Sequence, residues 1–260
     1  MRKYDLIMFM GQSNMAGRGI VSGRWPQPAT ECKRDAGYEF RAISDPTKLY
    51  YIEEPFGVNE NNPDGINEPG MKTGSLVSAF VNAYCETSGV PVIAVSASKG
   101  GSKIESWQGN DDYLTDAIER FKRAWEYCEA NDIAIRHRFM VWCQGESDGD
   151  AGTSPEEYCR LFLNMLDKTL AAGIEKCFLI IIGEYNGAGD IDYSLIRNQQ
   201  ISMAEENEDV VLVSNDFYKM KERGLMKDAF HYYQAAYNEV GTEAGMHAAY
   251  YVETGKEPVV

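Results

Sequence analysis

Three side chains in this sequence have the types that nucleophilic catalysis needs, and they lie at opposite ends of the chain: Ser13 near the amino terminus, Asp228 and His231 near the carboxyl terminus. A serine hydroxyl is a weak nucleophile until an imidazole takes its proton, and the imidazole is best oriented when a carboxylate holds its other ring nitrogen. Asp228 precedes His231 by three residues. That spacing lets the carboxylate reach one ring nitrogen while the other faces a nucleophile. A plain cap pair, with Asp228 capping a helix and His231 solvated in its first turn, accounts for the same spacing. A lone serine after a strand is most often a turn residue. The other histidines offer less. His137, between Arg136 and Arg138 at the start of a strand, reads as solvated, and His247, among Met246, Ala248 and Ala249, reads as a structural imidazole within a helix.

The elements that must position these groups follow from periodicity. Apolar, β-rich runs occur at 4–10, 90–96, 138–143, 177–183 and 210–214, and segments with helical periodicity at 75–87, 112–129, 155–172, 193–206 and 232–252. Strands that are apolar on both faces and alternate with helices predict a parallel sheet covered on both sides. The expected fold class is therefore α/β, a three-layer α/β/α sandwich with a central, mainly parallel sheet of about five strands, in one domain over 1–260. The stretch 17–74 is the exception. It is rich in Gly, Pro and Asn, and a loop of that length in a compact domain is usually a lid or binding loop.

In an open α/β sheet, ligands bind beyond the carboxyl ends of the strands. The unusual residues of this chain fall there: Gly11-Gln12-Ser13-Asn14-Met15 after the first strand, Lys99-Gly100-Gly101-Ser102 after the second, Gln144-Gly145-Glu146-Ser147-Asp148 after the third. Glu184 follows the fourth, Asn215 and Asp216 the fifth, and Asp228 to His231 precede the last helix. Glycine-rich turns let backbone amides approach a ligand. With a serine, a histidine and a carboxylate, they point to acyl transfer.

Composition narrows the partners. Forty acidic against 25 basic residues leave a formal charge of −15 over 260 residues, which repels phosphate backbones and anionic lipid heads. Neither nucleic acid nor a membrane surface is expected as a partner. No apolar run reaches the length of a membrane span, and the run after Arg2 and Lys3 stops at Gly11 without a cleavage site. A soluble, cytoplasmic protein is the expectation. Six cysteines without a CxxC pair read as reduced core thiols. Gly17-Arg18-Gly19 lacks the third glycine of a dinucleotide fingerprint, no phosphate-binding loop occurs, and 148–152 lacks the third oxygen ligand and the closing Glu of a calcium loop. No metal or cofactor is implied, and oligomeric state is not readable.

No GxSxG elbow is present, which removes the α/β-hydrolase signature. The strings GQSNMAGRG (11–19), GGSKIESW (100–107), WCQGESD (142–148) and DAFHYYQAAYNEVG (228–241) resemble instead the SGNH hydrolase superfamily, with its flavodoxin-like fold. More closely, they resemble its sialate O-acetylesterase and acetylxylan esterase branch, carbohydrate esterase family six. Four ordered blocks span nearly the whole chain. The resemblance implies Ser13 as nucleophile, His231 as general base and acid, and Asp228 as the group orienting the imidazolium. It implies an oxyanion hole made of the Ser13 amide, a Gly100 or Gly101 amide and the Gln144 side chain, where the wider superfamily has Asn. It implies as substrate a small acetylated carbohydrate, a xylo-oligosaccharide or a sialic acid. Gln12, Asn14 and Arg18 are expected to shape the nucleophile loop or pocket floor. Glu146 is expected to act as a structural clamp, with pairing to His231, Lys99 or Arg18 as alternatives. Trp107 fits stacking on a sugar ring and core packing equally. Two other functions stay open: a non-catalytic carbohydrate-binding protein on a hydrolase scaffold, and a short-chain esterase or lipase acting on non-sugar esters.

Overall fold

A computed structural model describes residues 2–110 and 112–260. Seven strands form one sheet: β1 (Lys3–Gly11), β2 (Gly37–Phe40), β3 (Leu49–Tyr51), β4 (Val92–Ser98), β5 (Ala134–Cys143), β6 (Lys176–Ile180) and β7 (Val210–Ser214). Their order across the sheet is β3-β2-β4-β1-β5-β6-β7, parallel throughout except for β3, which runs antiparallel to β2. The helices are α1 (Ser13–Ala16), α2 (Val77–Ser88), α3 (Tyr113–Ala130), α4 (Glu146–Ala151), α5 (Pro155–Ala171), α6 (Ser194–Glu206) and α7 (Gln234–Thr254).

The continuous apolar runs have a direct cause. Along β1, Leu6, Met8 and Met10 pack on one side with Phe121 of α3 and Phe162 of α5, while Ile7 and Phe9 pack on the other with Phe80 of α2 and Val240 of α7. Burying both faces of a parallel strand favours an apolar run, and the buried Asp5 at its start is paired with Arg136 and the Tyr84 hydroxyl. On the second side α2 and α7 approach closely because α7 carries glycines at the crossing. A Cβ on Gly245 would lie 2.2 Å from the Phe80 carbonyl oxygen, and one on Gly241 would lie 2.3 Å from that of Leu76. Two helix starts have side-chain caps: Asp112 accepts from the Leu114 amide ahead of α3, and Ser154 from the Glu157 amide ahead of α5, with Pro155 in its first turn.

The five expected strands all form, and the sheet gains two more from inside the segment 17–74. Strands β2 and β3 have four and three residues, too short to show a period against their Gly- and Pro-rich flanks. The segment is also less loop-like than its composition suggests, because buried polar groups fasten it to the body. Arg120 of α3, with no exposed surface, donates to the carbonyls of Glu60 and Ile66 in the segment, to that of Ser96, and to the Asp116 carboxylate. Lys72 donates to the Gly57 carbonyl at 3.0 Å and to Ser96 Oγ at 2.9 Å, and burial pushes its amine down to about 8. Glu54 accepts from the hydroxyls of Ser75 and Ser78 at the entry to α2.

This topology fixes where a site can form. From β1 the chain leaves toward β2 and β4, and from β5 it leaves toward β6 on the other side, so the crevice opens beyond the adjacent carboxyl ends of β1 and β5. No helix among the described residues is long and apolar enough to cross a membrane.

Candidate active site

Strand β1 ends against the backbone of β5. At Gly11, φ is +143°, and a Cβ there would lie 2.1 Å from the Cys143 carbonyl oxygen. Only glycine allows this approach. The next amide, of Gln12, donates to that same oxygen at 3.0 Å, and the chain turns at once into the single turn of α1. Ser13 opens that turn, and its own N–H meets no acceptor among the described residues.

His231 Nε2 lies 2.9 Å from Ser13 Oγ, and its Nδ1 lies 2.9 Å from Asp228 Oδ2. The other carboxylate oxygen of Asp228 accepts from the amides of Phe230 at 3.0 Å and His231 at 2.7 Å. The cap and the ring contact are thus one structure: one oxygen fixes the turn, the other the imidazole. The turn is closed by the Lys227 amide donating to the His231 carbonyl and by a bridge between Met226 and Tyr232. With a neutral ring and Nδ1–H donated to Asp228, the Nε2 lone pair faces the serine hydroxyl. Burial holds His231 below its ordinary value of 6.5, outweighing the upward pull of Asp228. Asp228 is held below its ordinary value as well. Its own partial burial pushes it up, but the two backbone amides and the ring donation together outweigh that.

Ser13 and His231 open onto a cavity of about 450 Å³. Arg18, Lys99 and Glu68 form one wall. Glu68 Oε1 takes an Arg18 guanidinium nitrogen at 2.7 Å and the Gly100 amide at 2.7 Å, with Lys99 Nζ at 4.0 Å. Nothing in the sequence singled out Glu68. It lies in the segment 17–74, and only the folding of that segment over the crevice brings it to the site.

Asn14 and Glu146 meet behind Ser13. The Asn14 amide nitrogen donates to Glu146 Oε1 and to the Phe230 carbonyl at 3.0 Å, and its oxygen accepts from the Tyr237 hydroxyl at 2.6 Å. Glu146 touches neither His231, Lys99 nor Arg18; its contact is to the Ser13 turn through Asn14, and burial raises its carboxyl to about 7. Gln12 lines the cavity beside Ser13, with its side-chain oxygen accepting from the amides of Gly145 at 3.2 Å and Ser147 at 3.3 Å.

Three expectations need correction. Gln144 has no exposed surface and does not line the cavity. Its amide nitrogen is committed to the Ser102 carbonyl at 3.0 Å and to the Asp148 carboxylate, so it has no hydrogen left for an oxyanion. The Gly100 amide is taken by Glu68, whereas that of Gly101 meets no acceptor among the described residues. Trp107 is fully buried, edge-on to Trp142 with ring centroids 5.4 Å apart, and its indole N–H donates to Ser102. It packs in the core and offers no face to a sugar. Glu184 and Asp216 follow β6 and β7, on the far side of β5 from Ser13, and neither lines the cavity.

Elsewhere, His247 Nδ1 contacts the Val213 carbonyl at 2.9 Å, and His137 is not simply solvated but contacts Glu175 at 2.8 Å. Cys128, Cys143 and Cys177 are buried, while Cys32, Cys85 and Cys159 are half-buried; all six are free thiols. Asp148 is occupied by the Ile104 amide and the Thr153 hydroxyl, which accounts for the calcium-like string in structural terms. No cluster of three metal-ligating side chains occurs among the described residues.

The fold is shared with solved structures. A protein from Arabidopsis thaliana superposes with a TM-score of 0.68 at 21% identity, over 95% of this chain and 98% of that one. NanS superposes at 0.60 with 13% identity, over 98% of each chain. A carbohydrate acetylesterase from Xanthomonas citri superposes at 0.58 with 16% identity, over 95% of this chain but 57% of that one. No curated protein sequence matches the chain. The family model described as carbohydrate esterase, sialic acid-specific acetylesterase matches residues 3–250. A match over nearly the whole length, on a fold that places a serine, a histidine and an aspartate in contact, shows that the chain belongs to this family of carbohydrate esterases and is a carboxylic-ester hydrolase of the acetylesterase type.

Proposed function

We propose that this acetylesterase hydrolyses acetyl esters of sugar hydroxyls through a Ser13 acyl-enzyme, the whole chain acting as one catalytic unit. The observation that carries the reading is the unbroken line from Asp228 through His231 to Ser13, with 2.9 Å at each contact. Ser13 Oγ attacks the acetyl carbonyl as His231 Nε2 takes its proton, and Asp228 steadies the resulting imidazolium. The tetrahedral oxygen meets the free amides of Ser13 and Gly101. Collapse expels the sugar oxygen, which receives the proton from His231, and leaves Ser13 acetylated. His231 then deprotonates a water that attacks the acetyl group, releasing acetate and regenerating the serine. The depressed imidazole is neutral, and so ready to accept the first proton, at pH 7.

The cavity walls suit a polyhydroxy alcohol. Arg18, Lys99 and Glu68 bring charged and polar groups to the cavity beside Ser13. We take the substrate to be an acetylated xylo-oligosaccharide or an O-acetylated sialic acid, the latter supported by the family description. Acetate release from both, by wild type and Ser13→Ala side by side, tests the reading. Release that the alanine variant abolishes supports it. Binding of either sugar without turnover would make the protein a carbohydrate-binding module, and turnover confined to aryl esters would remove the sugar.

A further inference from the structure

We propose that Glu68 is a positioning residue: its carboxylate sets the turn at Gly100 and Gly101 so that the Gly101 amide faces the tetrahedral oxygen. The assignment rests on the serine-esterase reading of the site. Two adjacent glycines give the turn after β4 more backbone freedom than any other pair of residues, and a peptide plane there can rotate its N–H away from the cavity unless something holds it. Neighbouring amides are held. That of Lys99 donates to the Gly11 carbonyl at 2.9 Å, that of Ser102 to the Lys99 carbonyl at 3.4 Å, and that of Gly100 to Glu68 Oε1 at 2.7 Å. Between them, the Gly101 amide meets no acceptor among the described residues. Glu68 thus supplies the tie on the glycine pair itself.

The carboxylate is itself fixed. Its side chain is 4% exposed, its backbone amide donates to Asn61 Oδ1 at 2.8 Å, and the oxygen that takes the Gly100 amide also takes the Arg18 guanidinium at 2.7 Å. The packing around Gly100 is close. A Cβ there would lie 2.5 Å from that carboxylate oxygen, 2.5 Å from an Arg18 nitrogen and 3.4 Å from Ser13 Cβ. A bare carboxylate this near would oppose negative charge developing on the carbonyl oxygen. Arg18, with Lys99 Nζ at 4.0 Å, offsets it, so the glycine turn is held without working against the reaction. The other carboxylate oxygen, Oε2, is buried and has no hydrogen-bond partner among the described residues, so the polar contacts of this side chain run through the one oxygen shared by Gly100 and Arg18. In this role Glu68 exchanges no proton and acts on the reaction only through the Gly101 amide.

The unpartnered second oxygen makes a selective test possible. Glu68→Gln keeps an acceptor for Gly100 and Arg18 and places its NH2 where no bond is lost, whereas Glu68→Met fills a similar volume with no oxygen. The substrate is p-nitrophenyl acetate, which has no sugar, so a contact from Glu68 to a sugar hydroxyl plays no part in the readout. We expect Glu68→Met to lower kcat by about 10–10²-fold with KM within about twofold of wild type, and Glu68→Gln to recover about tenfold of that loss. Phosphorylation of Ser13 by diethyl p-nitrophenyl phosphate, whose phosphoryl oxygen uses the same amide, should slow and recover in parallel, read by mass spectrometry. If Glu68→Met does not fold, Glu68→Asp, whose shorter side chain withdraws the acceptor but keeps the charge, carries the same expectation. Wild-type kcat in Glu68→Met, equal loss in Glu68→Gln, or a loss confined to KM or to thermal stability would overturn the proposal and leave Glu68 an anchor of its own segment. Wild type that neither turns over the ester nor is phosphorylated would instead refute Ser13 as nucleophile, and the role of Glu68 with it.

Discussion

The side-chain amide of Asn14 donates to the backbone carbonyl of Phe230, 216 positions away in sequence, at 3.0 Å. This bond joins the turn that carries Ser13 to the turn that carries His231, and Glu146 and Tyr237 fix the rest of the amide. Asn14 touches no reacting atom and acts by holding two reacting side chains in register. Asn14→Ala should therefore lower kcat by about 10²-fold, since displacement of a reacting group by about 1 Å is enough for such a loss. It should also lower stability by about 1–3 kcal/mol through the unpaired Tyr237 hydroxyl and Glu146 carboxylate. Steady-state kinetics and thermal melting on one preparation check both.

In the proposed mechanism His231 must be neutral to take the Ser13 proton, and burial holds it below 6.5. The acid limb of the kcat/KM profile should therefore have an apparent midpoint below 6.5, with activity flat from there through neutrality. Asp228→Asn removes the group that opposes burial, so the ring should become still harder to protonate while its orientation is lost. The expected result is a kcat about 10³–10⁴-fold lower with an acid limb no higher than in wild type. An acid limb above 6.5 in wild type would show that the carboxylate, not burial, governs this ring.

Glu146 gives a second pH dependence, in stability. Its carboxyl is raised by burial from 4.5 to about 7. The folded state therefore holds a proton that the unfolded chain gives up between those values, and stability falls as pH rises through that window. Glu146→Gln keeps an oxygen for Asn14 and cannot ionise. Relative to wild type it should gain about 1–3 kcal/mol between about pH 4.5 and pH 8. Denaturant midpoints across that range should fall more steeply with pH in wild type than in the variant.

The long segment before α2 depends on Arg120. Removing its guanidinium leaves Asp116 buried without its cationic partner and takes a donor from the carbonyls of Glu60, Ile66 and Ser96, of which that of Ile66 keeps the Asn62 amide. Arg120→Ala should cost about 3–5 kcal/mol, a fall of roughly 10 °C or more in Tm for a chain of this size. Proteolysis within 57–70 should accelerate before the rest of the chain unfolds.

The parts of this protein readable from sequence are those set by short-range rules. The five central strands are apolar on both faces, as Leu6 to Met10 shows, and helix starts such as Ser154-Pro155 carry their own signals. The spacing of Asp228 and His231 fits one turn, which makes the pair legible from sequence alone. What escaped depends on long-range packing. Strand β2 is held by pairing to β4, and β3 by pairing to β2, not by any pattern of their own. Glu68 reaches the site only because its segment folds over the crevice. Gln144 and Trp107 sit in the right blocks, yet their side chains turn into the core. Sequence places a residue at a strand end, but the direction of its side chain is decided by which neighbours have hydrogen bonds to offer.

The central claim is that Ser13 becomes acetylated during turnover. Rapid mixing of wild type with an aryl acetate, acid quenching and mass mapping of the amino-terminal peptide test it most directly. The expected result is one acetyl group on Ser13 that forms within a turnover and disappears as substrate is exhausted, and no adduct or acetate release in Ser13→Ala. Undiminished acetate release by Ser13→Ala, or an acetyl group on another residue that turns over at the catalytic rate, would contradict it.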